Sequence, residues 1–99
     1  MLLQQGDVLL EKTEQISGKQ LSHLILAEGE STGHCHTITQ GDAILYCDEK
    51  GNLSLNVRSE NAVLTHQEHK SITIPRGKYS IRKVLEYDHF LEEAKSVRD

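Results

Sequence analysis

Four of the six histidines stand in two closely spaced pairs, and they are the residues whose type and spacing could do chemistry. His34 and His36 form a His-x-His pair, and His66 and His69 form a His-x-x-His pair. Neutral imidazole is a common ligand of transition metals, with Zn–N bonds of about 2.0–2.1 Å. Four convergent histidines could hold an ion without any further ligand. We therefore expect these residues to form a metal site.

The two pairs require different backbone conformations. Alternate residues of a strand project from the same face, so a strand would place His34 and His36 side by side and turn Cys35 away. The same strand geometry would separate His66 from His69, which predicts a turn or a short helical segment there. Cys35 is therefore expected to be a core or surface thiol first and a metal ligand second, because a bulge at Gly33 would reverse which side chains face the metal. It is not expected to be a nucleophile, because a base must lie within roughly 2.6–3.2 Å.

The number of ligands would decide what such a site does. If three histidines bind, a water molecule in the open position would have its pKa lowered to about 7, as hydrolysis requires. Glu68, between the second pair, would then be the candidate catalytic base. If all four bind, the site is closed and structural. Zinc is the first candidate among divalent transition metals, with nickel, iron and copper as alternatives.

A second class of function stays open. A small acidic β-domain could serve as an interaction or assembly module without metal, its histidines lining a surface for a small molecule or a protein. A second copy of the chain is one such partner, because a domain of 99 residues has only a modest core. An open sheet edge or an exposed apolar patch would favour this alternative.

Composition argues against several classes of partner. The net charge of −4 disfavours nucleic acid, which requires a basic face. No apolar run is long enough to span a bilayer, and the first six residues are too short and too polar for a signal peptide. The cytoplasm is thus the expected compartment, where Cys35 and Cys47 would stay reduced.

Short strands are the elements that must position these residues. Apolar or alternating runs separated by turn residues predict strands at residues 8–13, 21–27, 34–38, 43–47, 53–57, 62–64, 71–74 and 79–87. The chain's only proline and a glycine predict a turn at 75–78. After Asp88 as N-cap, apolar residues at helical spacing predict a terminal helix over 88–98.

This pattern predicts one all-β domain over residues 1–99. Seven to eight short strands with turn signals between them favour a small antiparallel β-barrel or sandwich, followed by the terminal α-helix.

Four sequence stretches resemble a group of short, uncharacterised bacterial and phage-borne proteins. They are residues 6–9 (GDVL), 33–36 (GHCH), 65–69 (THQEH) and 74–79 (IPRGKY). The resemblance covers most of the chain and implies that the motifs belong together. It implies no activity.

A His-x-His pair followed by Pro-x-Gly is also similar to the cupin barrels, in which the first motif supplies metal ligands. On that analogy His34 and His36 would be ligands. The chain departs from the cupin pattern in two places: Gln40 stands near the position of the expected acid, and His66 and His69 precede Pro75.

Overall fold

The computed structural model describes residues 1–28 and 33–83, and every regular element in these two ranges is a β-strand. The strands are β1 (Leu2–Gln5), β2 (Val8–Lys12), β3 (Lys19–Gln20), β4 (Ile25–Glu28), β5 (Cys35–Gln40), β6 (Ala43–Cys47), β7 (Leu53–Thr65) and β8 (Ile72–Lys83). The all-β prediction is confirmed. The helix predicted over 88–98 lies outside the described residues. Within the described ranges there is no helix long and apolar enough to cross a membrane.

The eight strands form one antiparallel sheet in the order β1-β2-β8-β7-β5-β4, with β6 beside β7 and β3 beside β6. One side of β7 pairs with β8, and its other side is shared between β6 and β5. Among the described strands, β1 and β4 end this path and do not pair with each other. Of the barrel or sandwich that the sequence predicts, the barrel is therefore wrong, because the described strands do not close into one. The cupin analogy gains no support from this topology.

The two longest strands, β7 and β8, share an irregularity at their middle. Val57 is opposite Gly77, but the next aligned pair is Asn61 with Pro75. β7 thus advances four residues while β8 advances two, which is a bulge. Each strand was predicted as two separate runs. The turn predicted at 75–78 is also wrong, since β8 continues through Pro75.

The inner face of the sheet carries one apolar core. Its buried members are Val8, Leu10, Leu26, Ile38, Leu45, Leu55, Val57, Ala62, Leu64, Ile74 and Tyr79. Two polar side chains, Gln5 and His36, are as buried as this core, each with only 2 % of its surface exposed. Buried polar groups require hydrogen-bond partners, so these two side chains mark the place where polar groups lie next to the apolar core.

Candidate metal centre

Three segments of the chain contact one another and bring the paired histidines together. They are the turn between β1 and β2, the start of β5, and the loop between β7 and β8. The rings of His36 and His66 have centroids 4.3 Å apart, those of His66 and His69 4.7 Å, and those of His36 and His69 6.0 Å. Two imidazoles bound to one zinc ion would have centroids roughly 5 Å apart. The spacing of these three rings is close to that value.

His34 is the fourth ring of this histidine cluster (His34, His36, His66 and His69). Its centroid is 5.7 Å from that of His66, which it meets edge-on. On its other side, His34 Nδ1 lies 3.5 Å from a carboxylate oxygen of Glu68. A carboxylate beside one ring nitrogen commonly orients a histidine whose other nitrogen binds a metal. Glu68 is therefore placed to orient His34.

The amide of Gln5 determines which nitrogen of His36 carries the proton. Gln5 Nε2 donates to the backbone carbonyls of Leu64, at 2.9 Å, and Lys70, at 2.8 Å. Because both amide hydrogens are used, Gln5 Oε1 is left as an acceptor, and it lies 2.8 Å from His36 Nδ1. His36 Nδ1 must then donate, so neutral His36 has its lone pair on Nε2.

Asp7 faces that second nitrogen. Its Oδ1 lies 3.3 Å from His36 Nε2, and its Oδ2 lies 4.0 Å from Lys83 Nζ. The carboxylate is half exposed, whereas the His36 ring is almost fully enclosed. Asp7 therefore lies between His36 and solvent.

Gly6 allows the β1–β2 turn to approach His69 closely. Its φ of +59° lies in the left-handed region, which glycine adopts without steric cost. A Cβ at this position would lie 2.6 Å from His69 Nε2. The absence of a side chain at Gly6 thus lets the His69 ring pack against the turn that carries Asp7.

Burial and mutual repulsion lower the pKa of two of the rings. Burial is the main cause that lowers the pKa of His36, and the neighbouring His66 lowers it further, while Asp7 partly opposes this. The pKa of His66 is lowered first by burial and then by His69 and His34. Metal binding requires neutral imidazole, so these shifts favour the protonation state that a ligand needs.

One contact in the β7–β8 loop opposes immediate metal binding. His66 Nδ1 accepts the backbone N–H of Glu68 at 3.0 Å, so neutral His66 carries its proton on Nε2. Neither nitrogen of His66 is free to bind an ion. In the described part of the chain, no group of three or more His, Cys, Asp or Glu side chains could hold a metal as now arranged. Binding would require the loop at His66 to rearrange.

The structure brings together all four histidines that the sequence singled out, and their role as ligands stays a prediction. Cys35 lies outside this set: His36 and Ile38 are buried, while Cys35 is only half-buried. Its backbone N–H donates to Gln67 Oε1 at 2.9 Å, which ties the β7–β8 loop to β5. Both cysteines are free thiols.

The sequence interpretation missed the first turn of the chain. It assigned no role in the site to Gln5 or Asp7. No local signal identifies Gln5, because its three partners lie far along the chain. Asp7 could have been noted as a carboxylate in a glycine-containing turn, which is a common setting for a ligand.

Comparison with known proteins places the chain in a family. Residues 4–84 match the model described as Domain of unknown function (DUF8820), and the chain belongs to that family. No curated protein and no solved structure matches it. The matched range contains every residue of the histidine cluster and the turn that carries Asp7.

Proposed function

We propose that this DUF8820 chain binds a divalent transition metal ion through its histidine cluster. The observation that supports the proposal most directly is the setting of His36. Its ring is buried, its Nδ1 donates to Gln5, and its unprotonated Nε2 lies 3.3 Å from Asp7 Oδ1. This is the arrangement that metal-binding histidines usually have, with an oxygen acceptor on the far nitrogen.

The ring spacings support a ligand set of all four histidines. His36, His66 and His69 form the compact group, and His34 completes the four from the far side of His66. His66 can join only after its Nδ1 releases the Glu68 N–H, so that Nδ1 can bind the ion or take the proton from Nε2. Metal binding is therefore coupled to a change in the β7–β8 loop. Imidazole ligands favour zinc, with nickel, iron and copper as competitors.

A three-histidine site would leave a position for water and could support hydrolysis. Glu68 is the candidate base: its carboxylate is exposed and already lies beside His34. In a four-histidine site, Glu68 would only orient its neighbour. Hydrolysis of an activated ester that requires added zinc and is lost in Glu68→Gln would support the catalytic form. Equal activity in this variant would contradict it.

Metal content tests the proposal. The untagged protein, purified without chelator, is analysed for zinc, nickel, iron and copper beside a His34→Ala/His36→Ala variant. We expect close to one metal ion per chain in the parent and none in the variant. His23→Ala is the matched control, because His23 is an exposed histidine in the β3–β4 connection. This control should retain the metal.

Two results would contradict the proposal. One is a folded parent protein that contains no metal and binds none of the four ions when they are added. The other is equal metal content in the parent and the double variant. Circular dichroism of both proteins establishes that the comparison is made between folded chains.

A second candidate function rests on the edge of the sheet. Among the described strands β1 pairs only with β2. At its start, Met1 has 62 % of its surface exposed and Leu2 has 58 %. An open edge with exposed apolar side chains can pair with another chain. Light scattering of the parent and of Leu2→Lys tests whether the edge forms a dimer. A monomeric parent would contradict self-assembly through this edge.

A further inference from the structure

The contact between His36 and Asp7 is electrostatically incomplete. His36 Nδ1 is a donor to Gln5, so the neutral ring has an unprotonated Nε2. Asp7 Oδ1 is a carboxylate oxygen 3.3 Å away. Two acceptors at that distance repel each other unless a positive charge lies between them. The charge can be a second proton on His36 or a metal ion.

The distance between His36 and Asp7 disfavours the second proton. A charge-assisted bond from a protonated ring nitrogen to a carboxylate oxygen is about 2.7–2.9 Å long, which is shorter than the 3.3 Å between His36 Nε2 and Asp7 Oδ1. Lys83 reaches Asp7 on the other carboxylate oxygen, at 4.0 Å, and so does not separate Asp7 Oδ1 from His36.

The distance itself suits a shared ion. Two ligand atoms that bind a tetrahedral zinc at about 2.0–2.1 Å lie roughly 3.3 Å from each other. The separation of 3.3 Å between His36 Nε2 and Asp7 Oδ1 matches this value. Asp7 is half exposed, so an ion can reach the pair from solvent.

We infer that Asp7 is a metal ligand, which binds through Oδ1 the same ion that His36 binds through Nε2. The inference rests on the proposed function and changes its ligand set from imidazole alone to imidazole and carboxylate. The carboxylate neutralises one of the two charges of the ion. Gln5 acts as a positioning residue, since it keeps the proton on His36 Nδ1 and the lone pair toward Asp7.

Zinc titration in competition with a chromophoric chelator tests the inference on the full chain. Asp7→Asn keeps the shape of the side chain and removes the charge, and we expect its zinc affinity to fall at least tenfold. Asp42→Asn is the matched control. Asp42 is also an exposed aspartate with a basic neighbour, Arg58 at 3.7 Å, but it lies away from the cluster. Its affinity should equal that of the parent.

Cobalt absorption separates a ligand from a distant charge. When Co²⁺ replaces zinc, loss of a carboxylate ligand changes the visible spectrum, whereas loss of a nearby charge weakens binding and leaves the spectrum of the saturated protein unchanged. We expect Asp7→Asn to have an altered spectrum. An unchanged spectrum, or parent-like affinity, would overturn the inference.

These outcomes are distinct from failure of the proposed function. A parent protein that binds neither zinc nor cobalt overturns both ideas. A parent that binds, with Asp7→Asn equal to it, overturns only the role of Asp7. Residue 7 lies in an exposed turn. A parent-like urea denaturation curve for Asp7→Asn would show that the fold is retained.

Discussion

Gln5 and His36 are 31 residues apart in sequence, and their buried side chains meet in a hydrogen bond of 2.8 Å. Replacing Gln5 with Leu would remove this bond and leave the carbonyls of Leu64 and Lys70 without their donor. Because unsatisfied buried polar groups are costly, we expect the free energy of unfolding to fall by about 2–4 kcal/mol. Urea denaturation of the metal-free protein measures this loss.

Gln4→Leu is the control for that prediction. Gln4 is exposed and makes one local contact, from its Nε2 to the Gly6 carbonyl. Surface substitutions of this kind usually change stability by less than about 0.5 kcal/mol. Equal losses for the two variants would show that the buried network around Gln5 contributes nothing specific.

A side chain at Gly6 should displace the ring of His69 and so weaken zinc binding. Ala at this position meets His69 Nε2 and must also adopt a positive φ. Gly51→Ala is a matched control, because Gly51 has a φ of +88° and nothing within 4 Å of an added Cβ. Both variants should lose about 1 kcal/mol from backbone strain. Only Gly6→Ala should also bind zinc more weakly, and equal zinc affinities would contradict this.

The buried phenol of Tyr79 should make the stability of the fold decrease at alkaline pH. Burial raises the pKa of its phenol above the ordinary value of 10.0. As the pH rises past 10, the unfolded chain ionises while folded Tyr79 resists, so stability is full below that pH and falls above it. Tyr79→Phe should lose stability less steeply between pH 9 and 11. Urea denaturation across this range measures the slope.

The same substitution has a cost at neutral pH. Tyr79 donates its hydroxyl to the Pro75 carbonyl at 2.8 Å, and removing one such bond costs about 1 kcal/mol. Tyr46→Phe is the control, since Tyr46 lies outside the buried core. A slope for Tyr79→Phe that equals the parent's would contradict the linkage.

Zinc itself should stabilise the fold. An ion that binds only the folded state adds about 2.7 kcal/mol when it is present at one hundred times its dissociation constant. We expect this shift in the parent and its loss in His36→Ala. Because that substitution also leaves Gln5 Oε1 unpaired, the quantity to compare is the zinc-dependent shift within each protein. Equal shifts would show that zinc binds elsewhere.

Local pattern was enough to predict part of the sheet. Residues 43–47 form β6 as predicted, because their apolar run is bounded by clear turn residues. β7 and β8 were each predicted as two strands, and the bulge explains the error. The inward positions of β7 are Leu55 and Val57 before it but Ala62 and Leu64 after it. A change from odd to even positions looks like two strands in a sequence.

Pro75 misled the interpretation for a related reason. Proline in a strand is tolerated where its nitrogen needs no partner, at edges and bulges. Within the described sheet, β2 pairs with β8 only at residues 79–83, so the side of Pro75 away from β7 has no strand beside it. Whether a strand lies beside Pro75 depends on the order of the strands in the sheet, which residue types alone do not reveal.

The candidate site, like the fold, could be predicted only in part from the sequence. Residue type and spacing identified the four histidines, because a shared ligand chemistry is visible in a sequence. The partners that set their protonation were not identifiable, since Gln5 acts through carbonyls 59 and 65 residues away. Asp7 becomes important only when the first turn packs against β5.

The histidine cluster and the residues that contact it come from the first, middle and late parts of the described chain, from Gln5 to Lys70. No single hairpin contains it: the β1–β2 turn, β5 and the β7–β8 loop must all be in place. Contacts between such distant segments form late, after the entropy of closing long loops has been overcome. We therefore expect an ion to bind there only after all three segments are in place. Metal uptake during refolding would report the completion of the whole domain.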